Sequence, residues 1–295
     1  RMGVFAVLMA LALPGVLHAQ VDTTAPATAP ALPPDPMAIL NAIPGDASGF
    51  LVVRNLKELN GDLVGLAGTL GFPMGPAGLF PAPLDWIKEM VGIQEGLDDT
   101  GSLAMVLLNC SQAKTNEDAA RQLVLYLPTN DAQALLAVLG GQKDQDLYAV
   151  NLAGQASVAA PRGRFLVVSQ HPEALRAAVM SSKGIHETMA PGRVEDYGEQ
   201  DLFGWADLHG FSKELRDGIS NTLLGLMALG DPAAAKQGEQ SIRQIEKFVE
   251  QSREVSFGLA LDRRGVNLSA FFRMDPESSI GVEMKASQAP TGPLL

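Results

Sequence analysis

The sequence predicts an α+β protein: an antiparallel sheet with helices packed mainly on one face, in two tandem copies, the second incomplete. Three observations predict it. Val255, Phe257, Leu259 and Leu261 alternate with Ser256, Gly258, Ala260 and Asp262, and across an "DRRG" turn Val266, Leu268, Ala270 and Phe272 alternate again, which is a β-hairpin. Leu56, Leu59, Leu63, Leu66, Ala67 and Leu70 recur at steps of three and four, which is one face of a helix. The order strand, helix, helix, hairpin, helix is written twice, from "IPGDASGFLVVRNLKEL" and again from "DLFGWADLHGFSKEL".

The chain opens on an eleven-residue apolar run at 3–13, broken by Pro14-Gly15 and followed by "VLHA". This reads as a signal peptide over residues 1–19, with the mature chain starting at Gln20. An uncleaved anchor is the alternative, but a membrane-spanning helix needs about 20 apolar residues. Residues 20–40, with five Pro in "VDTTAPATAPALPPDP", read as an extended tether rich in Pro, Ala and Thr. The first α+β repeat is expected over 41–185 and the second over 196–295.

In the first repeat, "GFLVVR" (49–54) is a strand leading into the Leu56–Leu70 helix. Pro73, Pro76, Pro81 and Pro83 make the apolar stretch that follows a loop over the core or the mouth of a small apolar ligand site, not a spanning helix. A short helix over Leu84–Val91 comes next. "SLAMVLL" and "QLVLYLP" are strands joined by the polar segment 109–121. Asp131 caps a helix that stops at Gly140-Gly141. "LYAVNL", "ASVAA" and "RFLVVSQ" are strands, and "HPEALRAAVM" is a helix with Pro in its first turn.

The second repeat follows a polar connector at 181–200. "DLFGWADL" is a strand. Ser212 starts a helix with Phe211, Leu215, Ile219, Leu223 and Leu226 on one face, and a second helix buries Ile242, Ile245, Phe248 and Val249 before the hairpin. Phe203 lies 153 residues after Phe50 and Phe257 lies 152 after Met105. The second hairpin loop is nine residues shorter, so the spacing beyond it is expected to fall to 144, which carries Asp131 onto Asp275 at the head of "DPESSIGVEMKA". By the same spacing the second repeat lacks its last strands, and a longer natural chain is the expectation.

Composition narrows the function. A net charge of −11 repels phosphate backbones, so nucleic-acid binding is excluded unless a local basic patch intervenes. Arg162-Gly163-Arg164 and Arg263-Arg264 sit beside Gly and read as exposed turns. Aromatics at 5% offer few stacking platforms. The single Cys110 forms no internal disulfide and, with no legible His partner, reads as an inert thiol.

The richest polar patch is 186–209, holding His186, Glu187, Glu195, Asp196, Glu199, Asp201, Asp207 and His209; the remaining mature His is His171. Carboxylates with His suit a divalent cation, but "HETMA" lacks the second His of a zinc-binding pair, and a connector between repeats is where solvated acids belong. No catalytic, cofactor-binding or metal residue is assigned. "GLAGTLG" places its glycines on a helix face, and "NCS" at 109 and "NLS" at 267 match a glycosylation triplet that arises readily by chance.

Ile43-Pro44-Gly45-Asp46-Ala47 before an apolar strand, the run Gly96-Leu97-Asp98-Asp99-Thr100-Gly101-Ser102, and the strand–Asp–helix step over 127–136 together resemble a domain-of-unknown-function family of exported bacterial proteins. The likeness covers most of 41–180 and, more weakly, 201–295. It implies export and tandem α+β repeats, and transfers no catalytic residue. The function expected is that of an exported, non-enzymatic cell-envelope protein, a binding or scaffold module whose partner is an envelope protein or a small apolar ligand. An exported hydrolase using segment 186–209, metal-dependent or not, is the alternative.

Overall fold

The computed structural model describes Asp35 and residues 37–69, 71, 82, 84–85, 88–89, 93, 95–190, 192–211, 250–262 and 265–282. The signal-peptide reading, the tether reading apart from Asp35 and residues 37–40, most of the Pro-rich stretch, the helices expected over 212–249 and the final residues lie outside the described part; residues 38–40, read as the end of the tether, instead enter a helix in which Ile39 and Leu40 are fully buried. Short helix α1 (Ala38–Ala42) precedes β1 (Gly49–Val53) and α2 (Leu56–Thr69). Then come β2 (Leu103–Leu107), α3 (Asn116–Ala120), β3 (Leu123–Pro128) and α4 (Ala132–Val138). Four strands follow, β4 (Gln142–Asp144), β5 (Leu147–Leu152), β6 (Gln155–Arg162) and β7 (Phe165–Ser169). After α5 (Pro172–Met180), a 3-10 turn (Ile185–Glu187) and α6 (Arg193–Gly198), the chain adds β8 (Leu202–Asp207), a second 3-10 turn (Leu208–Gly210), β9 (Ser252–Asp262) and β10 (Gly265–Met274).

All ten strands form one antiparallel sheet in the order β10-β9-β8-β1-β2-β3-β7-β6-β5-β4. The α+β class and the antiparallel sheet are as the sequence predicts. Among the described helices, α1, α5 and α6 pack on one face of the sheet and α4 on the other. Successive residues of β7 point to opposite faces, and all five are buried. Phe165 and Val167 pack with Val124, Tyr126 and Val106 against Ile39 and Leu40 of α1 and Leu175 of α5. Leu166 and Val168 pack on the other face, with Leu127 and Val150, against Leu135 and Leu136 of α4. Strands apolar at consecutive positions need cover on both sides, and the helices divide accordingly. A third cluster, Cys110, Ala113, Ala119, Leu208 and Phe211, closes one end of the sheet near Leu107 and Ala206.

Local signals fix several boundaries. Asp131 accepts the N–H groups of Gln133 and Ala134 at 2.9 and 3.0 Å, and Gly140 at φ 68 ends the helix it starts. The polar segment 109–121 is less plain than its composition: Thr115 and Asp118 form a reciprocal capping box around α3. Strand β4 is three polar residues, too short to show a period in the sequence.

The sheet pivots on β1, which pairs with β2 on one side and β8 on the other. Phe50 opposes Trp205, Leu51 opposes Gly204 and Val52 opposes Phe203. Phe50 stacks on Trp205 at 5.7 Å between centroids, and Tyr197 meets Phe203 edge-on at 5.8 Å, so this seam is the aromatic part of the core. With Phe50 matched to Phe203, the pairing is centred on Leu51–Gly204. The strand registers on either side then carry Met105 onto Phe257 and Tyr126 onto Phe271. The first match is the one the sequence spacing gives; the second lies one residue beyond it.

Candidate functional site

The sequence singles out segment 186–209, and the structure disperses it. His186 lies in the 3-10 turn that docks on α1, where the Ile185 N–H donates to the Ile43 carbonyl at 2.9 Å. Glu187 turns back to accept the Gly184 N–H at 3.2 Å. Glu195 and Asp196 lie in the first turn of α6, and Asp196 pairs with Arg193 of the same turn. Glu199 caps the end of that helix. Asp207 ends β8 and accepts the His209 N–H at 3.0 Å. His209 places Nε2 at 3.8 Å from an oxygen of Asp275, which is on the far side of the hairpin in sequence. His171 precedes α5, and its backbone N–H donates to Ser169. Among the described residues no group of three or more His, Cys, Asp or Glu is gathered to hold a metal ion. The connector is also not a solvated strap: Ile185, Met189, Ala190 and Tyr197 are buried in it, and the acids Glu187, Glu195 and Glu199 project outward from that anchored base.

Asp201 is the exception, at 8% exposure. One carboxylate oxygen accepts the Leu261 N–H at 2.7 Å and the other faces Arg54 at 3.4 Å. Its backbone also bonds both neighbours, accepting from the Arg54 N–H and donating to the Leu259 carbonyl, each at 2.9 Å. Asp201 therefore ties β1 to β9 at the end of β8. Its role is a structural clamp.

Cys110 is buried, and its N–H donates to Ser48 Oγ at 3.0 Å. Burial pushes its thiol up to about 11, against a smaller lowering by the Ser48 hydroxyl. It is therefore a protonated thiol at neutral pH, unreactive by charge and by access. The paired arginines at 162 and 164 flank a turn, as read, with Gly163 at φ 58. Both are occupied: Arg162 donates to the Ser181 carbonyl at 2.8 Å, and Arg164 faces Asp98 at 3.3 Å. Arg263 and Arg264 lie outside the described residues.

The sequence does not reveal a polar seam inside the second half of the sheet. The polar stripe of β9, Ser252, Glu254 and Ser256, faces inward, and Glu254 is 3% exposed. The apolar stripe faces the other way, with Phe257 at 37% exposure. Glu254 reaches Arg273 of β10 at 3.6 Å. Arg193 of α6 lies over the Phe271 ring, 3.7 Å from its centroid. Glu254 Oε1, Trp205 Nε1 and Gln200 Oε1 are buried without a protein partner among the described residues. The alternation along β9 is plain in the sequence. Which stripe faces the helices is set by the partner strand: Ser256 lies beside Trp205 and Gly258 beside Phe203 on one face, and Phe257 lies over Gly204 on the other.

Fold and side chains thus define an α+β protein built on one wide antiparallel sheet, with its ionic groups used as clamps. No family model matches the chain, and no curated protein does. Among solved structures, two crystal forms of TP0453 are similar: form I at 8% identity and TM-score 0.38, covering 84% of this chain and 84% of that one, and form III at 8% identity and TM-score 0.41, covering 84% and 85%. A likeness at that level carries no argument about function.

Proposed function

We propose that this chain is an exported, non-enzymatic protein of the cell envelope that acts as a binding or scaffold module, built from two copies of one α+β unit. The observation that carries the binding reading is the contrast between the two ends of the sheet. One end is β4, three exposed residues that include Lys143. The other is β10, ten residues long, with Val266 at 52% and Leu268 at 73% exposure. Short, charged edges discourage pairing and long apolar ones invite it.

Support for two copies comes from the strand registers on either side of Leu51–Gly204 and from Asp275. Asp275 accepts the Glu277 N–H at 2.9 Å ahead of a helical turn at 279–282, much as Asp131 accepts the Gln133 N–H ahead of α4. In the first copy β3 is followed in the sheet by β7; β10, which matches β3, has no such neighbour among the described residues. The favoured ligand is another protein of the envelope rather than a small apolar molecule.

Elemental analysis of the purified, folded protein tests the non-enzymatic reading. Substoichiometric metal is the expected result. One equivalent of a divalent metal that disappears in His186→Ala would replace this reading with a metal-dependent hydrolase centred on 186–209.

A further inference from the structure

We propose that the layer between α6 and the inner face of β8, β9 and β10 binds small neutral molecules through their hydroxyl groups, ordered water or a polyol, and that these bridge Arg193, Gln200, Trp205 and Glu254. This site is separate from the docking role proposed above and is built from buried side chains, not from either end of the sheet.

The inner face is the one that carries Phe50, Phe203 and Trp205. Alternate residues of a strand share a face, so strand pairing sets three rows of side chains across it. Asp207, Glu254 and Arg273 form one row, Trp205, Ser256 and Phe271 the next, and Phe203, Gly258 and Ser269 the third. Helix α6 lies above them. Arg193 sits over the Phe271 ring, 3.7 Å from its centroid, and Gln200, two residues past the helix, fills the space over Gly258 that a side chain would take. Both layers contribute unpaired polar atoms. Arg193 Nε and Gln200 Oε1 come from the helix side, Trp205 Nε1 and Glu254 Oε1 from the sheet, and none has a protein partner among the described residues. Glu254, Trp205 and Gln200 are 3, 6 and 9% exposed, so bulk solvent does not reach these atoms.

These four groups define the ligand. The Arg193 Nε–H and the Trp205 Nε1–H donate, while the Glu254 carboxylate and the Gln200 amide oxygen accept. A cation would satisfy only the two acceptors and an anion only the two donors, each leaving the other pair unmet. A hydroxyl both donates and accepts, so one kind of group suits all four, and it suits Gln200 whichever end of its amide is presented. The Glu254–Arg273 pair points the same way independently. At 3.6 Å it is too long for a direct hydrogen bond and fits an ion pair bridged by a hydroxyl. Four buried polar groups left unpaired would together forfeit a large part of an ordinary domain's stability, which is why such groups hold ordered water in folded proteins.

Cross-relaxation between water and the Trp205 indole N–H, measured by NMR on the full chain, is the test. The indole signal is identified by its loss in Trp205→Phe. A contact to water held longer than the protein takes to tumble is expected. It should persist in Ser256→Ala, which removes the neighbouring protein hydroxyl as its source. Added glycerol separates the two sources of the hydroxyl. An unchanged contact assigns it to water; a saturable shift of the indole signal, with contacts to glycerol C–H protons, assigns it to a polyol. Thermal melting gives a second readout. Gln200→Met keeps the bulk over Gly258 and removes the amide. A bridged site then loses hydrogen bonds, and the midpoint is expected to fall by about 2–4 °C. In an unbridged layer the same change removes an orphaned polar group and raises the midpoint, as expected for the buried, unpartnered Tyr126 hydroxyl on Tyr126→Phe. No long-lived contact to water or glycerol, loss of the contact in Ser256→Ala, or a midpoint unchanged or raised in Gln200→Met would overturn the proposal.

Discussion

Asp201 and Tyr126 show how single residues hold this molecule, and the signs of their contributions differ. Asp201 supplies a buried acceptor for the Leu261 N–H and faces Arg54. Asp201→Ala leaves that N–H without a partner and is expected to cost about 2–3 kcal/mol in urea unfolding, the penalty for an orphaned donor beside a half-buried cation. Tyr126 is fully buried and its hydroxyl has no partner among the described residues. Tyr126→Phe removes an unpaired polar group at nearly constant shape and is expected to stabilise by up to about 1 kcal/mol. Burial also raises the Tyr126 pKa far above that of a free phenol, with a lesser lowering from Arg162. A raised pKa favours the protonated fold. Its contribution is complete below the unfolded phenol's value of about 10 and is lost as pH rises beyond that. Alkaline titration of stability should therefore show a shallower fall in Tyr126→Phe than in the wild type. Buried Tyr197, raised in the same direction by burial, keeps part of that fall in place.

The elements explain how much of the fold was legible. Strands with a strict period and helices with a named cap, such as β10 and α4, follow from local chemistry, and the sequence places them within a residue or two. Strand β4, helix α3 and the 3-10 turns are too short for periodicity to register. The candidate site failed for a different reason. Acids and histidines that are neighbours in 186–209 become caps, clamps and surface groups once α6 and β8 form, while Glu254 comes opposite Asp207, and Ser256 opposite Trp205, only through strand pairing. Residue pattern shows that β9 alternates; only the partner strand decides which stripe is inside. Gly204 carries that decision. The Phe257 ring lies over it, in the space a side chain would fill. Gly204→Val is expected to destabilise by about 1–3 kcal/mol as overpacking at this seam, and to move the melting midpoint far more than the same change at Gly61, where nothing lies nearby.

For the whole molecule, the export reading predicts that secreted protein starts at Gln20; N-terminal sequencing that finds residues 1–19 intact would remove it. The sheet's central seam bears on the same journey. β1 can zip with β2 as soon as both have been made, because they are near in the chain, and the sheet can extend through β3, β7, β6 and β5 once Ser169 is made. β8 belongs to the last third of the chain, yet it is the strand that closes β1's other side. Bringing Gly49 against Ala206 carries the ordering entropy of a very long loop, so this contact forms late. During synthesis the growing chain therefore carries a half-finished sheet with an open slot along β1, and the slot is filled by the protein's own later strand. A chain halted before Leu202 would keep its central strand bare on that side, the kind of exposed strand that holding chaperones bind.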